Sequence, residues 1–91
     1  MNYATAARRA ISAFNQLRGR VPASHSTGET IERTAEFRTL KVLESSGSSK
    51  GLSHVLFELE FCSKEGDNYR SVWIRVNSKE SILDTNTIIK C

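Results

Sequence analysis

The sequence predicts an α+β domain in which one N-terminal helix packs across a four-stranded antiparallel meander. Three observations lead there. An apolar stripe of helical period opens the chain. Two segments of regular apolar alternation follow later. The later strand-like segments are joined by short polar turns, with no second helical pattern among them. At 91 residues the chain has room for one domain and one modest core. It divides into a helix over about 3–18, a loop over about 19–31 and a sheet over about 32–90.

The helix is read from "NYATAARRAISAFNQLRG". Tyr3, Ala7, Ala10, Phe14 and Leu17 recur at i, i+4, i+7, i+11 and i+14, and Ile11 widens the stripe. Arg8, Arg9, Ser12, Asn15 and Gln16 take the opposite side. Gly19 suits the C′ position, and Arg18 the negative end of the helix dipole. The alanines let the layer beneath come close. A helix with one apolar stripe needs a covering partner, and the rest of the chain supplies a sheet.

"RVPASHSTGET" is polar, holds the only proline, Pro22, and reads as a loop. In "ERTAEFRTLKVLE" the apolar positions Phe37, Leu40 and Val42 change parity, which a bulge between Phe37 and Leu40 would reconcile. "SHVLFELEFC" alternates, with Val55, Phe57, Leu59 and Phe61 on one face and His54, Glu58 and Glu60 on the other. After the turn "SKEGDN", "NYRSVWIRV" gives Val72, Ile74 and Val76 an inner face and Tyr69, Trp73 and Arg75 an outer one. "NSKES" turns into a weaker strand, "ILDTNTIIKC".

Composition narrows the function classes. Hydrophobic residues are 38% and charged residues 25% of the chain, ordinary for a globular domain, and the net charge of +3 is too small to imply nucleic acid by itself. Residues 1–28 nevertheless carry Arg8, Arg9, Arg18 and Arg20 and no acid. The two His and two Cys residues share no ligand spacing, so no metal and no cofactor is expected. His25 and His54 have no nucleophile at a recognisable spacing, and Glu58 and Glu60 read as one strand face, so no enzyme is expected. No apolar run reaches signal-peptide or membrane-spanning length. A cytoplasmic chain is therefore expected, or a secreted one if a leader has been removed. In a meander, Cys62 and Cys91 end the second and fourth strands with the third between them. That separates them by about 9–10 Å, beyond the reach of a disulfide. Two free thiols are expected.

Helix, long loop and four-stranded meander together resemble the cystatin-like superfamily, and within it the latexin family. The resemblance rests on the helix "AARRAISAF" followed by the step Asn15-Gln-Leu-Arg-Gly19, and on the strands "FRTLKVLE" and "HVLFELEF" with a polar hairpin between them. It spans roughly residues 3–78. It implies a non-catalytic protein-binding module, either a protease inhibitor or a relative that has lost inhibition of papain-type proteases. The papain-blocking wedge of cystatins combines an N-terminal glycine, a Gln-x-Val-x-Gly hairpin and a Pro-Trp hairpin. Here the first hairpin is "ESSGSSKG", the second is "NSKES", and no glycine precedes the helix. Latexin resembles a metallocarboxypeptidase inhibitor built from two cystatin-like domains, whereas this chain offers one.

The candidate partner-binding residues fall in three places. Tyr69, Trp73 and Arg75 make an aromatic patch on the outer sheet face, or an ordinary outer face of a sheet. Arg8 and Arg9, in a run with Arg18 and Arg20, face an acidic partner or a membrane surface, or are only the solvated face of the helix and its exit. Ser46, Gly47 and Ser48 occupy the first-hairpin tip, whose composition also fits a plain solvated turn with Gly47 and Gly51 at positive φ. Two functions of different class follow: a protein-binding module whose partner is another protein, such as a protease, or a basic domain binding nucleic acid through the arginine helix and the Trp73 face. The second has few exposed aromatics for stacking bases. Two states stay open: a homodimer that rebuilds a latexin-like pair through the Trp73 face or the edge of the last strand near Ile88 and Ile89, and a monomer whose edge Lys90 protects.

Overall fold

A computed structural model of the chain describes residues 1–20, 30–62 and 69–78, and the backbone of 84–89. Pro22, His25, the expected turn "SKEGDN" (63–68), Lys90 and Cys91 lie outside the described residues. The fold is α+β. Helix α1 (Tyr3–Leu17) is followed by the antiparallel strands β1 (Glu36–Ser48), β2 (Gly51–Cys62) and β3 (Tyr69–Asn77), paired in sequence order. The backbone of β4 (Asp84–Ile89) runs along the far side of β3.

The helix starts and stops for local reasons. The Asn2 side chain accepts the Thr5 N–H at 2.8 Å, an N-cap that satisfies one of the otherwise orphaned donors of the first turn. At the other end Arg18 leaves the helical region (φ −59°, ψ 128°) and Gly19 takes φ +80°, a turn closed by Arg20 N–H to the Leu17 carbonyl at 2.9 Å that suits glycine at its third position.

The buried stripe of α1 is Ala6, Ala10, Ala13 and Phe14, with Ala7 and Leu17 partly covered beside it. The expected stripe is thereby corrected at its first residue. Tyr3 stays 51% exposed and its hydroxyl bonds to Ser45 Oγ at 2.9 Å. The cause is bulk: the helix seats on its small residues, Ala6, Ala10 and Ala13, and the large ring is left at the rim. Ile31, at the end of the expected loop, and Ala35, in the expected first strand, also reach the core. Ile31 forms an isolated bridge with Arg18, which draws the loop's end against the end of the helix.

Strand β1 begins later than expected, at Glu36 rather than near residue 32. A turn closed by Ala35 N–H to the Glu32 carbonyl at 3.0 Å occupies the intervening residues. A register shift lies between Phe37 and Thr39, where parity called for a bulge, and a second between Val42 and Glu44. The two shifts bring Phe37, Leu40, Val42 and Ser45 opposite Phe61, Leu59, Phe57 and Val55, all on the helix side.

The serine- and glycine-rich stretch is mostly strand, not loop. β1 continues through Ser48, Ser49 and Lys50 alone form the turn, and β2 begins at Gly51. Gly51 takes φ +118°, as expected, but Gly47 does not have positive φ. Gly47 is suited by space instead, because a Cβ there would lie 2.5 Å from the Gly51 carbonyl oxygen. Beyond the end of β3, Met1 takes over as the neighbour of β2: Leu52 N–H donates to the Met1 carbonyl at 2.8 Å, and the Met1 ammonium to the Leu52 carbonyl at 3.1 Å. A 13-residue strand spans about 43 Å, in keeping with the longest dimension of 44 Å against 21 and 18 Å across.

Candidate functional site

The open side of the sheet follows from widths. A helix is about 10 Å across and strands lie about 4.8 Å apart, so one helix covers roughly two strands. Here α1 packs on β3 and β2. Val55, Phe57, Leu59 and Phe61 of β2 and Val72, Ile74 and Val76 of β3 are buried beneath it. β1 lies outside that shadow. Its helix-side residues Phe37 and Val42 remain 40% and 41% exposed, Leu43 at the second bulge 36%, and only Leu40 is partly covered. Among the described residues no strand pairs with the outer edge of β1. An apolar flank thus borders an edge strand, and Tyr3 stands at its rim.

Sequence reasoning missed this flank because it reconciled the parity of Phe37, Leu40 and Val42 with a bulge and did not ask how far across the sheet the helix would reach. The available signal was the strand's place: first in the meander, hence at an edge, with charges at Glu36, Arg38, Lys41 and Glu44.

The outer face gathers the expected aromatic residues but gives them intramolecular partners. Trp73 is half-buried and its Nε1–H donates to Glu58 Oε2 at 3.2 Å. Arg75 reaches across β2 to Glu44, at 3.7 Å. Arg38 donates to the Tyr69 hydroxyl at 3.2 Å with its guanidinium carbon 5.6 Å from the ring centre. That hydrogen bond raises the Arg38 pKa above the usual arginine value. Ser71, between Tyr69 and Trp73 along the strand, is fully enclosed.

The arginines divide. Arg8 and Arg9 are exposed on the helix, with Arg8 3.4 Å from Thr5 Oγ1 and Arg9 donating to the Asn77 carbonyl at 3.2 Å. Arg18 is structural: it lies over the Phe14 ring, 5.4 Å from its centre, and donates to the Ala35 carbonyl and to Asn15. Arg70 does the same over Phe61, at 4.9 Å, and holds Glu32 and the Thr30 carbonyl. The helix packs on the face opposite Trp73, because Val72 and Ile74 on either side of it point into the core. Arg8 and Arg9 are therefore not brought together with the Trp73 patch.

Ser46, Gly47 and Ser48 are exposed near the hairpin tip, where Ser53 Oγ donates to the Ser46 carbonyl at 3.0 Å. Cys62 is buried and free of a disulfide. Among the described residues no three His, Cys, Asp or Glu side chains gather as metal ligands, and no helix is long and apolar enough to cross a membrane. Comparison of the chain with protein-family models, with curated proteins and with solved structures gives no match in any of the three.

Proposed function

We propose that the chain is a non-catalytic protein-binding module with a cystatin-like fold, one helix across a four-stranded meander, and that it works by presenting the β1 side of its sheet to another protein. The observation that carries this reading is the apolar flank of Phe37, Val42 and Leu43, with Leu40 partly covered among them, beside a strand edge that no strand pairs with among the described residues. Such an edge offers backbone hydrogen bonds to a partner strand, and the flank offers apolar contact beside it. The chain lacks the papain-blocking hairpin residues of cystatins, so its partner is not engaged through that wedge.

Nucleic-acid binding through the arginine helix and the Trp73 face is the weaker reading. Those two surfaces lie on opposite sides of the sheet, and Trp73 is engaged with Glu58.

The test is capture of partner proteins on immobilised chain, compared with Val42→Lys and Trp73→Ala. Capture that Val42→Lys abolishes and Trp73→Ala preserves is the expected result. Tight oligonucleotide binding with a steep salt dependence would instead favour the nucleic-acid reading.

A further inference from the structure

We propose that the occupant of the β1 flank is a second copy of this chain, joined antiparallel, β1 to β1, about a twofold axis passing beside Lys41. This rests on the reading of that flank as a protein-binding surface and commits it to one partner.

The argument begins with the faces. The helix-side residues of β1 are Phe37, Leu40, Val42 and Ser45, separated by three, two and three positions. That order reads the same in both directions about Lys41. In a twofold antiparallel pair centred there, Leu40 of each copy stands opposite Val42 of the other, and Phe37 opposite Ser45. All of them stay on the helix side. Centring on Leu40 or Val42 instead would place Arg38 opposite Val42 or Glu44 opposite Leu40, mixing charges into the apolar row. Pattern therefore selects one register.

Two of the three register shifts in β1, those within the span 37–45, follow nearly the same symmetry. The shifts between Phe37 and Thr39 and between Val42 and Glu44 map onto one another within one residue, so both strands bend at matching places. The span 37–45 covers about 30 Å of edge.

Charge agrees with pattern. The same axis sets Arg38 of one copy opposite Glu44 of the other, twice over, and both side chains are exposed. Both also have intramolecular contacts at the surface, Arg38 with Tyr69 and Glu44 with Arg75, which the pairing would share or replace. Lys41 meets its own copy at the axis, the one like-charge pair, but each Lys41 stands beside Glu58 in the sheet register. Charges on an edge ordinarily keep strands apart. Here the Arg38 and Glu44 charges complement those of a copy in this register.

The test is sedimentation equilibrium of the purified chain across the micromolar range, with circular dichroism to confirm that each variant is folded. A dimer is expected. Val42→Lys should abolish it, and Arg38→Glu or Glu44→Arg alone should weaken it at least about tenfold. The double variant Arg38→Glu/Glu44→Arg, with the same overall composition of charge at these positions, should restore it. A monomer throughout overturns the proposal. A dimer insensitive to the single reversals, or one that the double reversal fails to rescue, overturns it too and moves the contact to the β4 edge or the Trp73 face. Val42-dependent capture of a different protein by a monomeric chain would overturn the second copy as occupant while leaving the broader binding reading standing.

Discussion

The rings of Phe14 and Phe61 lie 5.3 Å apart at a tilt of 45°, and this contact joins the helix to the sheet. Both residues are fully buried. Each ring also carries an arginine, Arg18 over Phe14 and Arg70 over Phe61, and the two guanidinium groups hold the segment from Thr30 to Ala35 against the core. Truncating Phe14 removes a large buried side chain and one side of that stack. Phe14→Ala should destabilise the domain by about 3–5 kcal/mol in urea unfolding, whereas Tyr3→Ala, at the exposed rim, should cost well under half as much. A Phe14→Ala midpoint close to the parent's would mean that the helix is not seated on β2 and β3.

The N-cap gives a smaller, independent expectation. Asn2→Ala leaves the Thr5 N–H without its side-chain acceptor and should cost about 0.5–2 kcal/mol. Asn2→Asp, which keeps the acceptor and adds a favourable charge at the helix N-terminus, should be neutral or stabilising. Equal losses from both changes would show that Asn2 acts by something other than capping.

The first hairpin depends on two glycines for different reasons. Gly51→Ala forces an L-residue to φ +118° and brings its Cβ to 3.2 Å from the Met1 backbone. A backbone conformation of that kind costs about 1–3 kcal/mol. Gly47→Ala has no φ strain but drives a Cβ within 2.5 Å of the Gly51 carbonyl oxygen, so the strands must part locally. Thermal melts should show losses for both, and none for Ser49→Ala in the exposed turn between them. Tolerance of alanine at Gly47 would show that the two strands do not approach so closely there.

Cys62 is buried at the end of β2. A thiol reagent should label it slowly in the native protein and rapidly in denaturant. Intact mass without reductant should equal the fully reduced value. A mass lower by two hydrogens would mean a bond between Cys62 and Cys91, against the strand order inferred from the sequence.

Much of this fold was legible because two signals were unambiguous. Alternation in "VLFELEF" and "SVWIRV" assigned every buried residue of those two runs except Ser71, an outer-face residue between Tyr69 and Trp73 along the strand. The parity change from Phe37 to Leu40 announced a bulge that is there. Alanine is where the reading slipped. It is apolar enough to line a helix seat but too small to declare itself beside Tyr3, so Ala6 and Ala13 were passed over. The hairpin misled for a related reason: serine and glycine signal a loop, yet they extend β1 because their small side chains allow two solvated strands to pair closely. The site was less legible than the fold. Which strand a helix leaves uncovered depends on where it crosses the sheet, a tertiary fact that no local pattern encodes. The residues singled out around Trp73 have partners within the chain, which their sequence spacing does not show.

The measurement that tests the central claim most directly is a concentration series of amide spectra of the isotopically labelled chain. The account predicts that the resonances of residues 37–45, with Tyr3 beside them, move progressively as concentration rises, while those of Arg8, Arg9, Tyr69 and Trp73 stay in place. Shifts centred on Trp73 or the helix arginines, or no shifts at the highest concentration reached, would contradict it.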